Sequence, residues 1–314
     1  MSGSLSIILA KPRGFCAGVT RAIETVEKAL QKFGPPVYVR HEIVHNKFVV
    51  ESLRKKGAIF VDQVEQIPAG SITIFSAHGV SDQVEEDAKA KNLDVIDATC
   101  PLVSKVHREA KKYEEQDFEI ILIGHKGHPE VEGTSGKVKK EVILVTSEED
   151  AKNVEIKNPN KIAYVTQTTL SVDDTKKIVD ILEKRFPALQ RGLATKDICY
   201  ATQNRQDAVR ALTKMVDILL VIGAQNSSNS NRLRDLGEES GLNSYLINSS
   251  DDIDPNWLKN VKNIGLTAGA SAPEILVQEV IFKIKQISGS KVIVSDMDGI
   301  EESTVFALPR KVRK

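Results

Sequence analysis

The chain has 314 residues, with 43 lysines and arginines against 43 aspartates and glutamates and a net charge of zero at pH 7. That balance argues against a broad nucleic-acid or membrane-surface footprint, and the length allows one large domain or two or three small ones. No apolar run reaches the roughly 18 residues of a membrane span. The start "MSGSLSIILA" lacks the charged head, long apolar stretch and cleavage site of a secretory leader. A cytoplasmic protein is expected. Its three cysteines, far apart and odd in number, do not form a disulfide framework and read as reduced thiols or ligands.

The first apolar run, "LSIILA", leads through "RGFCAG" into "VTRAIETVEKAL", which has helical spacing, so Cys16 sits at a strand-to-helix corner. Further along, "VYVR", "ITIFSA", "DVIDAT", "IILIG", "IAYVT", "ILLVIG" and "NIGLTAG" read as strands, each followed by a polar corner and a helix-like segment. This alternation is the pattern of α/β units with parallel sheets. The basic end "PRKVRK" reads as a solvated tail.

The polar corners fall into three series. The cysteines lie in "RGFCAG", "DATCPLVSKV" and "DICYATQNRQDAV". The second series is His45 in "HEIVHNKF", His128 in "GHKGHPEVEG" and Ser227 in "GAQNSSNSNRL"; the third is His78 in "SAHGVSDQ", Thr168 in "TQTTLSVDD" and Ser271 in "TAGASAPE". Cysteine and second-series corner are 29, 28 and 28 residues apart; cysteine and third-series corner are 62, 68 and 72 apart. We read three copies of one α/β unit of roughly 90 to 100 residues, at 17–100, 101–198 and 199–314, joined by an N-terminal strand over 1–16. The corners carry helix-start signals. "SVDD" from Ser171 and "SAPE" from Ser271 fit capping boxes, and Pro101 after Cys100 suits a first turn. Open N–H groups at such helix starts bind anions and stabilise thiolates.

A pseudo-threefold arrangement brings equivalent corners together. Three thiolates then suit a metal or cluster site with one open position. Zinc stays open, although close C-x-x-C pairs are absent. A non-catalytic iron–sulfur carrier or sensor also stays open. Around the sulfurs the same symmetry gathers His45, His78, His128, Thr168, Ser227, Ser228, Asn229 and Ser271, mostly neutral donors, with Glu130 beside His128. Such a set suits a small phosphorylated ligand. Neither G-x-x-x-x-G-K-S/T nor G-x-G-x-x-G is present, so no nucleoside triphosphate or dinucleotide is indicated. His41, His107 and His125 lie outside the aligned positions and read as structural.

The segments "PRGFCAGV", "YVRHEIVHN", "IFSAHGVS", "DATCPLVSKVH", "GHPEVEGT", "TQTTLSVDDT", "ICYATQNRQ", "NSSNSNRL" and "TAGASAPE", in this order between Leu5 and Pro309, closely resemble the 4-hydroxy-3-methylbut-2-enyl diphosphate reductase family, with no departure at a functional position. "SGKVKKEVILV" and the tail after Gln286 match more loosely. The resemblance implies a trefoil of three α/β units around a [4Fe–4S] cluster. Cys16, Cys100 and Cys199 would hold three irons, and the fourth would take substrate. It further implies that His45, His78, His128, Ser227, Ser228, Asn229 and Ser271 bind the diphosphate, that Glu130 donates a proton and that Thr168 is its relay partner. The implied reaction removes an allylic hydroxyl with two electrons and two protons, giving isopentenyl or dimethylallyl diphosphate. Electrons would come from an external one-electron donor such as ferredoxin or flavodoxin.

Overall fold

The computed structural model describes residues 5–190, 197–289 and 291–313. In chain order the elements are β1 (Leu5–Leu9), α1 (Ala17–Phe33), β2 (Val37–Arg40), α2 (Lys47–Lys55), β3 (Ala58–Val61), β4 (Ile72–Phe75), α3 (Asp82–Ala90), β5 (Asp94–Asp97), α4 (Pro101–Glu115), β6 (Glu119–Ile123), α5 (Pro129–Ser135), β7 (Ile143–Val145), α6 (Glu148–Asn153), β8 (Ile162–Thr166), α7 (Val172–Arg185), α8 (Tyr200–Leu212), β9 (Ile218–Ile222), α9 (Ser228–Glu239), β10 (Asn243–Ile247), β11 (Asn263–Ala268), α10 (Glu274–Ser288) and β12 (Val292–Asp296). All the apolar runs named above are strands. The fold class is α/β, and the strands pair in parallel within three sheets.

The sheets share one plan. Their orders are β3-β2-β4-β5, β7-β6-β8 and β10-β9-β11-β1-β12. In each, the strand leading to the second-series corner (β2, β6 or β9) lies between an outer strand and the strand leading to the third-series corner (β4, β8 or β11). Beyond the third-series strand comes chain that leads to a cysteine. That chain is β5 for Cys100 and β1 for Cys16. In the three-stranded sheet a lone parallel bridge from Ala163 to Gln190 takes this place, upstream of Cys199. Each sheet therefore ends its repeat with a cysteine, and β1, first in the chain, completes the sheet built by the last third.

By its contacts the chain divides into two compact units: Met1–Val19, His45–Val49 and Tyr200–Val305; and Thr20–Val44, Val50–Cys199 and Phe306–Lys314. The first holds the five-stranded sheet. Its β9, "ILLVI", is buried along its whole length, as a central strand covered on both faces must be. One face packs Ile7, Leu220 and Leu266 with Val277, Val280 and Ile284 of α10. The other packs Leu219 and Val221 with Ala208, Val209 and Leu212 of α8 and Leu233 and Leu236 of α9. The second unit holds the other two sheets. Here α4 lays Val106, Ala110 and Tyr113 on Ile120, Leu122, Ala163 and Val165, while α7 lays Ile178 and Leu182 on Ile121, Ile123 and Ile162.

Two local expectations need correction. The basic end is not a solvated tail: residues 310–312 form a 3-10 turn with Val312 buried, and Lys311 bonds to the Asp94 carboxylate and, at 2.8 Å, to Val95 O. Ser171 does cap α7, accepting from Asp174 N at 3.1 Å, but Ser271 caps nothing. Pro273 is extended (φ −74°, ψ 151°), so α10 begins at Glu274 and Ser271 lies outside its first turn. Among the described residues no helix is long and apolar enough to cross a membrane.

Candidate active site

The three cysteines occupy one local geometry. Cys16 precedes α1, Cys100 is the N-cap of α4 with Pro101 following, and Cys199 precedes α8. All are half-buried and none is in a disulfide. Each backbone amide donates to a carbonyl at the third-series corner of its own sheet. The pairs are Cys16 N to Ala270 O at 3.2 Å, Cys100 N to Ala77 O at 3.0 Å and Cys199 N to Thr168 O at 3.0 Å. With its amide engaged in this way, each cysteine is fixed at the start of a helix. Among the described residues no three His, Cys, Asp or Glu side chains are grouped to hold a metal ion. The donor set itself, three equivalently held thiols, fits a soft metal or an iron–sulfur cluster in chemistry.

In the second unit, His78, His128, Glu130 and Thr168 form one connected set. Glu130 lies in the first turn of α5 and is 2 % exposed. Its carboxylate accepts from Thr168 at both oxygens, from the amide at 2.5 Å (Oε1) and from the hydroxyl at 3.0 Å (Oε2). Burial pushes its pKa up to about 7; the two Thr168 bonds oppose the rise and the charge of Asp197 adds to it. Asp197, two residues before Cys199, is also raised by burial and by Glu109, to about 7, and accepts from Thr166 N at 3.1 Å. His128 caps α5 by accepting from Glu130 N at Nδ1, 3.1 Å, which puts the proton of its neutral ring on Nε2. The His78 ring stands edge-on to it with centroids 5.9 Å apart, and its Nδ1 is 3.3 Å from Ser76 Oγ.

In the first unit a second set forms around the start of α9. Ser227 is its N-cap and accepts from Ser230 N at 3.3 Å and from Ser230 Oγ at 3.0 Å. Ser228 is half-buried in the first turn. Asn229 is 4 % exposed, and neither its Oδ1 nor its Nδ2 has a hydrogen-bond partner in the protein. A buried amide left so costs roughly 1 to 3 kcal/mol, a cost that a ligand supplying both a donor and an acceptor removes. Instead of capping, Ser271 donates to His45 O at 2.9 Å. His45 Nδ1 lies 3.4 Å from Asn226 Nδ2.

Sequence reasoning missed several participants. Ser230 braces Ser227 from inside the "SSNSN" run, and Asn226 orients His45. Gly223 and Gly269 end β9 and β11, and an added Cβ at either would lie 2.1 Å from Ser230 Oγ. Gln167 accepts from His125 N at 3.0 Å and donates to Thr169 Oγ1 at 2.9 Å, tying the two loops beside Glu130 and Thr168. The only sequence signal was a glycine directly after a strand, at Gly124, Gly223 and Gly269.

Residues 7–285 match the family model described as LytB protein. The chain belongs to this family. It is 55% identical over 308 residues to the 4-hydroxy-3-methylbut-2-enyl diphosphate reductase of Azoarcus sp., covering 98% of each chain. It is 54% identical over 315 residues to the reductase of that name from Shewanella oneidensis, covering 99% of this chain and 98% of the relative. In three dimensions it is similar to the E-1-hydroxy-2-methyl-but-2-enyl-4-diphosphate reductase from Plasmodium falciparum. The TM-score is 0.94 at 40% identity, over 98% of this chain and 97% of that one. The chain and these relatives thus match over nearly their full lengths, and the fold agrees with that of the Plasmodium falciparum enzyme.

Proposed function

We propose that this chain reduces 4-hydroxy-3-methylbut-2-enyl diphosphate to isopentenyl and dimethylallyl diphosphate, the last step of the methylerythritol phosphate route. Each turnover takes up two electrons and two protons; the C–O bond breaks, one proton leaves with the hydroxyl as water and the other ends on carbon. Cys16, Cys100 and Cys199 would hold a [4Fe–4S] cluster, in a trefoil of units over 17–100, 101–198 and 199–314. When bound, the cluster supplies a Lewis-acidic iron and single-electron transfer.

The remaining chemistry belongs to the protein. Hydroxide is a poor leaving group and needs a proton as it departs. Glu130 is the acid for this step, because its buried carboxyl keeps the proton up to about pH 7. Thr168 holds that carboxyl by two bonds and relays the proton through its hydroxyl. His45, His78, His128, Ser227, Ser228, Asn229 and Ser271 are neutral donors for the diphosphate. They bind without a cation, and the binding energy of this remote group is used to orient the reacting carbons. An external one-electron donor such as ferredoxin or flavodoxin supplies the electrons. A cytoplasmic location suits three thiols that must stay reduced.

The observation that carries this reading is the buried, proton-retaining Glu130 pinned by Thr168, in a chain of the LytB family. The test is anaerobic purification, iron and sulfide analysis, and addition of the substrate with a one-electron reductant. About four irons and four sulfides per chain and conversion to the two products are expected. A colourless zinc protein, or a cluster protein that leaves the substrate unchanged, overturns it.

A further inference from the structure

The segment "CYATQNRQ" holds a residue that neither the cysteine corner nor the diphosphate set uses. Arg205, on α8, is 0 % exposed. All five of its N–H donors are engaged. Nε and Nη2 donate to Gly14 O at 3.1 and 2.7 Å, Nη1 to Ala201 O at 2.9 Å, and Nη1 and Nη2 to the two oxygens of Glu302 at 3.0 and 3.2 Å. Asn204 Nδ2 adds a third bond to Glu302, at 3.0 Å. The carbonyl that Arg205 grips belongs to the Cys16 corner. Gly14, at φ +68°, donates its amide to Ala268 O at 3.0 Å, and two residues later Cys16 N donates to Ala270 O. An added Cβ at Gly14 would press on Ala272 O at 3.2 Å. The corner is thus held on one side by the chain leaving β11 and on the other by Arg205.

A buried ion pair is by itself weak evidence for stability, since well-packed apolar side chains often serve as well. What apolar side chains cannot do is fix a carbonyl from two converging donors and set the net charge next to a thiolate. We propose that Arg205, locked by Glu302 from the segment after β12, is a positioning residue that holds the Cys16 corner and tunes the charge beside it. This rests on reading Cys16 as an iron ligand. The pair is neutral as a whole, so removing one partner leaves a charge near the cluster, and the sign of that charge sets the direction in which the reduction potential moves. A positive remainder favours the reduced cluster and a negative one disfavours it.

The test uses the full chain with Glu302→Gln, Arg205→Gln and Arg205→Lys. Two readouts are taken: hydrogen exchange of the 11–18 segment and the reduction potential of anaerobically prepared protein. Exchange at Gly14 and Cys16 should quicken roughly tenfold or more in all three variants, because each loosens the clamp. The potential should rise in Glu302→Gln, fall in Arg205→Gln and stay near wild type in Arg205→Lys, which keeps the charge but not the fork. Simple loosening of structure does not produce opposite signs. Unchanged protection of the 11–18 segment, or potentials moving the same way in the two glutamine variants, overturns the proposal. If Arg205→Gln does not fold, Glu302→Gln and Arg205→Lys decide it. A wild-type chain without any cluster overturns the functional reading instead, and the exchange readout still decides the clamp.

Discussion

Thr168 holds both oxygens of the Glu130 carboxylate, one with its amide and one with its hydroxyl. These bonds favour the charged form, yet burial outweighs them and lifts Glu130 from an ordinary 4.5 to about 7. A carboxyl raised on folding binds more protons in the folded chain than in the unfolded one between those two values. Its contribution to stability is therefore lost as pH rises from about 4.5 to 7 and is flat above, a change on the order of 3 kcal/mol across the window. Glu130→Gln removes this titration. Urea denaturation of both proteins from pH 5 to 8 should show wild type weakening relative to the variant as pH rises; parallel curves would refute the raised pKa.

The same substitution keeps the shape of the side chain but supplies no proton. With the metal content unchanged, Glu130→Gln should reduce turnover by roughly 10²- to 10⁴-fold. Single-turnover product analysis on prereduced protein checks this. A wild-type rate would remove Glu130 from the proton path.

Thr168→Val takes away one of the two bonds to the carboxylate and leaves the amide. The charged form loses a donor, so the Glu130 pKa should rise further. The alkaline limb of kcat/KM should then move to higher pH while the plateau below it falls through loss of the relay hydroxyl. A limb that stays in place, or moves to lower pH, would mean that the limb reports another group.

Much of this arrangement was legible in the sequence because the central strands are buried on both faces and read as unbroken apolar runs, as "ILLVIG" does at β9. The strands not singled out there, β3, β7, β10 and β12, all lie at sheet edges. They are short or partly exposed, so their pattern is weak. The corner series could be aligned because spacing survives where residue identity does not. Other features depend on packing that spacing does not encode. Arg205 lies in the polar run "TQNRQD", where nothing in the spacing marks it as the wholly buried residue it is. Ser271 has the spacing of a capping box, but an extended Pro273 moves the helix start beyond it. The C-terminal lysine and arginine run reads as a tail until Asp94 and the Val95 carbonyl supply its partners.

Ser227 and Asn229 stand two residues apart and should respond differently to alanine. Ser227 caps α9 and pairs with Ser230, so Ser227→Ala should destabilise the ligand-free protein by about 1 kcal/mol as well as weaken diphosphate binding. Asn229 has no protein partner at either amide atom. Asn229→Ala should therefore leave stability unchanged or raised, since an unsatisfied buried group is removed, and still weaken binding. Urea denaturation, with calorimetric titration of inorganic pyrophosphate, measures both. Loss of stability in Asn229→Ala with unaltered binding would make it a structural residue.

Ser230 packs against the glycines that follow β9 and β11, and the two should not behave alike. At Gly269 an added Cβ meets Ser230 Oγ at 2.1 Å but Ser230 Cβ only at 3.2 Å. Turning the hydroxyl away relieves most of that clash, at the expense of its bond to Ser227. At Gly223 the same Oγ lies at 2.1 Å and Ser230 Cβ at 2.4 Å, so relief requires α9 itself to shift. Both alanine variants should lose stability, Gly269→Ala by roughly 1 to 3 kcal/mol and Gly223→Ala by more, as for other overpacked sites. Adding Ser230→Ala removes the hydroxyl and leaves the Cβ. It should recover much of the loss in the Gly269→Ala background and little in the Gly223→Ala background. The two double-mutant cycles, read by denaturation, should therefore give a large coupling for Gly269 and a small one for Gly223. Equal couplings would show that the hydroxyl is not what the glycine after β11 accommodates.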